Sequence, residues 1–337
     1  MDEDGGGGDG GGSGLHEHPR GAHDGRRDQR NDRREHPSRR HQAGPPAFPG
    51  QPPGGGADSA TRIIANRLSE IWGQQVVVEN KAGAGGNLAH DTVTHAPSDG
   101  YTMLFSPGSL PIMPLLFSSL SYDPIADLAP VSLIGNYPNL VVVSPGSPIK
   151  TLKDYLDAAK ANPGKVTFAT PGIGTTPHFA AELLKKMANV DITHVPYRGV
   201  AAGAMTDLIT GRIDSMFNTT GSLLQAVRSG QVRGLAQSTP KRSALAPELP
   251  TYAEAGIPGY GVTSWYGLFA PAKTPPDILK KMNDAMVQMM AEPATKQKFE
   301  VLGIESASSS PQQLAALMQD EIKLWTPIIK AANIRGE

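Results

Sequence analysis

Pro52-Pro53-Gly54-Gly55-Gly56-Ala57-Asp58 runs straight into a segment carrying Ile63, Ile64, Leu68, Ile71 and Trp72 at helical spacing, and this junction decides how the chain is read. Three glycines let the backbone take positive φ and come close to a ligand. The helix behind them presents unpaired N–H groups and the positive end of its dipole, which suits a carboxylate or a phosphate.

Beyond this junction, strand and helix alternate. Gln75–Glu79 reads as a buried strand, and Gly83-Ala84-Gly85-Gly86-Asn87 opens a helix to about Ala96. Tyr101–Phe105 and Leu140–Val143 read as strands closed by Ser-Pro-Gly turns. Thr151, with Asp154 three residues on, is spaced as a capping box for a helix through Ala161. Val166–Ala169 then leads through Thr170-Pro171-Gly172-Ile173-Gly174-Thr175-Thr176-Pro177-His178 into another helix. The rhythm continues to Gln237, passes a Pro-studded connection (240–258), and ends in a strand at Val262–Ala270 followed by helices. This alternation predicts an α/β fold of parallel sheets with helices on both faces, whose ligand edge lies where glycine-rich turns follow strands.

The 337 residues carry a formal net charge of −1 and no cysteine, so neither a basic field for nucleic acid nor thiolate chemistry is available. No run of about 18 apolar residues offers a membrane span. Residues 1–51 are different material: a glycine tract, then Arg, His and Asp without lysine, with too few apolar groups to offset backbone ordering. The expectation there is a disordered tail with no readable signal peptide.

Catalytic signatures are thin. Gly83-Ala84-Gly85-Gly86 has Leu88 where a dinucleotide fingerprint needs its third glycine, and no Gly-Lys-Ser/Thr follows a glycine loop. His90 and His95 miss the same-face spacing of a metal pair and read as solvated positions. His178 has no nucleophile motif beside it. Thr175 and Thr176 read either as anion donors or as ordinary N-caps, and Asn218-Thr219 as a polar cleft lip or a plain turn. No cofactor and no metal are expected.

Five segments, Pro52–Asp58, Val77–Asn87, Asp99–Leu104, His194–Gly199 and Thr263–Pro271, resemble in this order the Bug family, the extracytoplasmic solute receptors of tripartite tricarboxylate transporters. The resemblance runs from about Pro52 to about Ile334. It implies a two-lobed type II periplasmic-binding-protein fold, each lobe a mostly parallel sheet flanked by helices. The strand crossings are then expected near Val143 and Thr263, giving lobe 1 as 52–143 plus 264–337 and lobe 2 as 144–263.

The same resemblance implies that a small carboxylate ligand is gripped by Gly54, Gly55, Gly56, Ala57 and Asp58 from one lobe and Gly174, Thr175 and Thr176 from the other. Gly85, Asn87 and Ser106 line the first-lobe wall; Asn218 and Thr219 form the far wall, where family members differ. His178 and Tyr197 complete the candidate set. Many relatives carry Asp at the Asn218 position, so a neutral Asn weakens the case for a ligand bearing an amino group. The implied protein is a periplasmic, non-enzymatic monomer that binds no nucleic acid and hands its ligand to membrane permease subunits. Two alternatives stand beside it: a sensing domain that presents its closed form to a signalling partner, and an enzyme using His178 as base.

The chain departs from the family at its start. Relatives lead into the glycine loop with a signal peptide and a β-branched strand; here Gly44-Pro45-Pro46-Ala47-Phe48-Pro49-Gly50-Gln51 stands in that place. Such a stretch is not expected to form a central strand. A frameshift or mis-called start upstream of about Pro52 is the corresponding expectation.

Overall fold

The computed structural model describes residues 47–50, 56–81, 86–197 and 202–336, with 47–50 and 202 described through the backbone alone. Residues 1–46 and 51 of the expected tail, and Gly54, Gly55 and Gly85, lie outside the described residues. The strands are β1 (Ala47–Gly50), β2 (Val77–Asn80), β3 (Leu104–Pro107), β4 (Leu128–Tyr137), β5 (Asn139–Val143), β6 (Thr167–Thr170), β7 (Thr193–Pro196), β8 (Ser215–Thr219), β9 (Arg233–Gln237), β10 (Ser264–Pro271) and β11 (Glu305–Ser306). The helices are α1 (Gly56–Trp72), α2 (Asn87–Thr94), α3 (Met113–Leu116), α4 (Leu152–Ala161), α5 (Thr176–Ala188), α6 (Ala202–Ile209), α7 (Thr220–Arg228), α8 (Pro276–Ala291), α9 (Pro293–Val301) and α10 (Pro311–Ala331).

Two lobes follow from how these strands pair. β7-β6-β8-β5-β9 make the second-lobe sheet, with β7, β6 and β8 parallel and β5 antiparallel to both its neighbours. In the first lobe, β1 and β2 pair in parallel, while β11-β4-β10-β3 form an antiparallel sheet. The parallel expectation therefore holds for β1–β2 and β7–β6–β8 but not for the four-stranded sheet. Its longest strand, β4, is not legible in the sequence: Pro130 and Gly135 break the apolar pattern, and two register shifts against β10 absorb the irregularity.

Ala47–Gly50, not expected to form a central strand, forms a strand that pairs with β2 alone among the described residues. Its backbone lies in register with Val77–Asn80, Pro49 opposite Glu79. A strand hydrogen-bonded on one side tolerates proline, because a missing N–H costs a ladder bond only where a partner faces it.

Strand burial explains why the apolar runs are continuous rather than alternating. Along β10, Tyr266, Leu268 and Ala270 enter one core with Ile64, Leu68 and Met286, while Trp265 and Phe269 enter another with Leu314 and Met318. β5 does the same: Val141 and Val143 face one core, Leu140 and Val142 the other. Each such side chain fully buried contributes about 1.5–3 kcal/mol.

The passages between lobes are short. β4 ends at Tyr137 in the first sheet and β5 begins at Asn139 in the second, so the change of sheet falls at Pro138 rather than near Val143. The return runs through Val262 to Ser264, where Val262 N–H bonds to the Ser238 carbonyl and Ser264 already faces Tyr137. α10 starts with a Ser310–Gln313 capping box and runs past Pro327; its Trp325, Ile328 and Ile329 complete the second-lobe core. The Thr151–Asp154 capping box is present as expected. Arg67 of α1 forks onto Glu292 through bonds of 2.7–3.2 Å, fixing that helix against the α8–α9 junction.

Candidate functional site

Three second-lobe candidate segments meet at one edge because their strands are neighbours. β6 pairs in parallel with β7 and with β8, Thr170 lying opposite Pro196 and Ala169 opposite Met216. The segments that leave the carboxyl ends of these strands carry Gly174 to Thr176, Tyr197, and Asn218 with Thr219. This is where parallel α/β sheets bind ligands.

At the start of α5, Thr175 holds the N-cap position with extended backbone, yet its hydroxyl does not cap the helix. It donates instead to the Gly172 carbonyl at 2.8 Å. Thr219, the N-cap of α7, likewise makes no capping bond; its hydroxyl pairs with Ser222 at 3.3 Å. A threonine at this position ordinarily accepts from a first-turn amide. At α5 the first-turn N–H groups keep their affinity for an anion, whereas at α7 the Thr220 N–H is taken by the Pro138 carbonyl at 3.1 Å. Gly174 sits at φ +79°, and a Cβ there would lie 3.1 Å from Leu116 of the first lobe, so the loop needs glycine on both counts.

Thr176 lies beside Tyr137 of the crossing strands. Tyr137 stacks on Tyr266 with ring centroids 4.6 Å apart, and burial pushes its hydroxyl well above the usual phenol range. Asn218 is 3% exposed; its Oδ1 accepts the Thr219 N–H at 2.8 Å, and its amide nitrogen has no protein partner among the described residues. Tyr197 is committed elsewhere: its hydroxyl donates to Asp207 at 2.7 Å, and Arg212 holds the other carboxylate oxygen.

His178 does not join this edge. It stacks on His194 at 4.2 Å, and burial first, then His194 and Lys185, pull its pKa down to about 3. The nearest acid, Glu182, is 3.9 Å from Nε2.

On the first lobe, Gly56 and Ala57 begin α1. The Asp58 carboxylate is bound by Arg62 and by Asn80 at 2.9 Å, tying the helix start to the end of β2. Asn87 opens α2 behind Gly86 at φ 102°.

A buried relay lies behind Asn87. The Tyr122 hydroxyl donates to Asn87 Oδ1 at 2.6 Å, so its oxygen accepts from His90 Nδ1–H; the bare Nε2 then accepts the proton of Ser106 at 2.9 Å. Ser106 and His90 are both fully buried, and burial drops the His90 pKa to about 3, keeping the ring neutral. The solvated reading of His90 is thus corrected. Tyr122, far off in sequence, supplies the partner that makes its burial possible.

The Bordetella pertussis protein BugT is 33% identical over 286 residues, spanning 84% of this chain and 87% of its own. A solved R. palustris structure with adipate superposes with a TM-score of 0.79 at 33% identity, covering 86% of this chain and 97% of that one. MatC from Rhodopseudomonas palustris with bound malate gives 0.73 at 30% identity, covering 84% and 97%. The sequence model described as "Tripartite tricarboxylate transporter family receptor" matches residues 60–334. This match through nearly the whole described chain, together with the identity to BugT, places the protein in the tripartite tricarboxylate transporter receptor family, to which the Bug proteins belong.

Proposed function

We propose that the chain is an extracytoplasmic receptor for a small carboxylate, a dicarboxylate by the analogy of the adipate- and malate-bound relatives, and that it delivers this ligand to the permease subunits of its transporter from the periplasm. The observation that carries the reading is the start of α5: Thr175 holds the N-cap position without capping, which leaves first-turn amides for an anion at the sheet edge that also holds the unpartnered amide nitrogen of Asn218.

Gly54 to Asp58 supply the opposing grip in this reading, with Gly85, Asn87 and Ser106 as the wall beside it. Charge-assisted hydrogen bonds of about 1.5–3 kcal/mol each, a handful together, exceed the ordering costs and reach micromolar affinity. Closure on the ligand gives the permease a state to distinguish. A receptor rather than an enzyme is supported by His178, whose ring stacks on His194 and has no carboxylate within hydrogen-bond distance among the described residues. The Asn218 amide, with no carboxylate there, favours a ligand without an amino group.

Isothermal titration with adipate, malate and related acids tests the proposal. Thr175→Ala with Thr176→Ala is expected to weaken the best ligand at least tenfold, about 1.4 kcal/mol. Unchanged affinity in that variant overturns the assignment.

A further inference from the structure

A second recess lies away from the proposed carboxylate edge, between α5 and the last turn of α10. Its volume is about 620 Å³, within the roughly 300–1,000 Å³ range of small-molecule sites. Its floor is His178, 4% exposed, whose Nδ1 faces the Gly174 N–H at 3.4 Å. That contact makes Nε2 the protonated nitrogen of the neutral ring. Its nearest carboxylate oxygen is 3.9 Å away, beyond hydrogen-bond distance, so a donor at the floor of the recess is left without a protein partner among the described residues.

The charge around this donor is one-sided. Lys185, Lys186 and Arg335 line the recess, and Glu182 is the acid that lines it. Glu182 is taken up by Lys185 at 3.0 Å. Among the described residues, Lys186 and Arg335 have no carboxylate partner; Arg335 Nε donates to the neutral Asn333 side chain at 3.2 Å. Beside the polar His194 and Asn333, apolar surface is supplied by Ile328 and Ile334 from the α10 end and by Ile173, 37% exposed. Two unneutralised cations and an unpartnered imidazole N–H call for an anion, and the isoleucines call for an apolar body attached to it.

We propose that this recess is a binding site for an amphipathic organic anion, a single carboxylate head on a short apolar chain. The head lies between Lys186, Arg335 and His178 Nε2–H, and the chain lies against the isoleucines. The site adjoins the carboxylate edge through the Ile173–Gly174 segment but is lined by neither Thr175 nor Thr176.

The probes are sodium octanoate, sodium acetate and inorganic phosphate, titrated calorimetrically into the full chain while the His178 ring nitrogens are followed by NMR. Octanoate is expected to bind at least tenfold more tightly than acetate or phosphate and to move the His178 signals. Lys186→Glu with Arg335→Glu, both at exposed positions, is expected to weaken octanoate at least tenfold, and Ile173→Ser severalfold. Thr175→Ala with Thr176→Ala leaves octanoate affinity and the His178 shift unchanged. The proposal is overturned by any of four results: no octanoate binding, equal affinity for all three anions, indifference to the charge reversal, or loss of binding in the threonine variant. The last of these places octanoate at the other edge.

Discussion

Asn139 and Ser264, one on each strand that joins the lobes, are bonded side chain to side chain: Asn139 Nδ2 donates to Ser264 Oγ at 2.8 Å, and both residues are buried. Ser238 braces the same point. Its hydroxyl accepts the Asn139 N–H at 2.9 Å and donates to the Val262 carbonyl at 2.8 Å. The two crossings are therefore one hydrogen-bonded unit, and a change of lobe angle bends them together.

Ser264→Ala removes the acceptor and leaves a buried amide unpaired, which costs about 1–3 kcal/mol. Urea unfolding should show a lower midpoint with an unchanged slope. An unchanged midpoint means that the bond does not brace the hinge.

Gly303 and Gly221 meet backbone to backbone, bringing the loop after α9 against the start of α7. A Cβ on Gly303, at φ +70°, would lie 2.5 Å from the Gly221 nitrogen, and one on Gly221 would lie 2.5 Å from the Leu302 carbonyl oxygen. Thr220 closes the contact with a 2.6 Å bond to the Gly303 carbonyl. Gly303→Ala combines strain with collision and is expected to destabilise by well over about 1 kcal/mol. Gly221→Ala should also destabilise, and the double variant should fall short of the sum because the two glycines share one contact. Thermal unfolding of the three variants measures this directly.

Asn218→Asp places a negative charge at the proposed carboxylate edge. Affinity for a dicarboxylate should fall at least tenfold at neutral pH. Stronger binding of the acid in this variant is incompatible with an anion facing Asn218.

Stability should depend on pH through the buried histidines. His90 and His178 have pKa values lowered from 6.5 to about 3, and His194 to about 4, chiefly by burial. Between these values and 6.5 the unfolded chain binds protons that the folded chain refuses. The stability is complete above about pH 6.5 and is lost as pH falls toward 4. Glu321 opposes the trend: burial raises its carboxyl above 4.5, although the indoles of Trp265 and Trp325 donate to it. Each histidine contributes a slope of at most about 1.4 kcal/mol per pH unit. In denaturation curves from pH 7 to 4, His90→Gln should flatten the slope by one proton's share. An unaltered slope shows that His90 titrates alike in both states.

Much of this was open to reading residue by residue. Gly56 to Asp58 begin a helix, Thr151 caps one, and Trp265 and Tyr266 lie in a buried strand, all from local spacing and turn chemistry. The strand at Leu128–Tyr137 was not, because its proline and glycine are tolerated by bulged pairing with β10, a partner far along the chain. The burial of His90 was hidden for a similar reason: its acceptable environment is made by Tyr122 and Ser106, which nothing in the helix spacing names.

The sequence by itself determined the alternation of strand and helix, the glycine loops and the threonine pair, since these depend on backbone freedom and on patterns within a few residues. Tertiary structure decided which of those groups come together. Parallel pairing of β6 with β7 and β8 brings Thr175, Tyr197 and Asn218 to one edge; helix α5 then turns His178 off that edge into a separate recess. Which hydroxyl caps a helix, and which donor is left for a ligand, depends on neighbours that only the folded chain brings within about 3 Å.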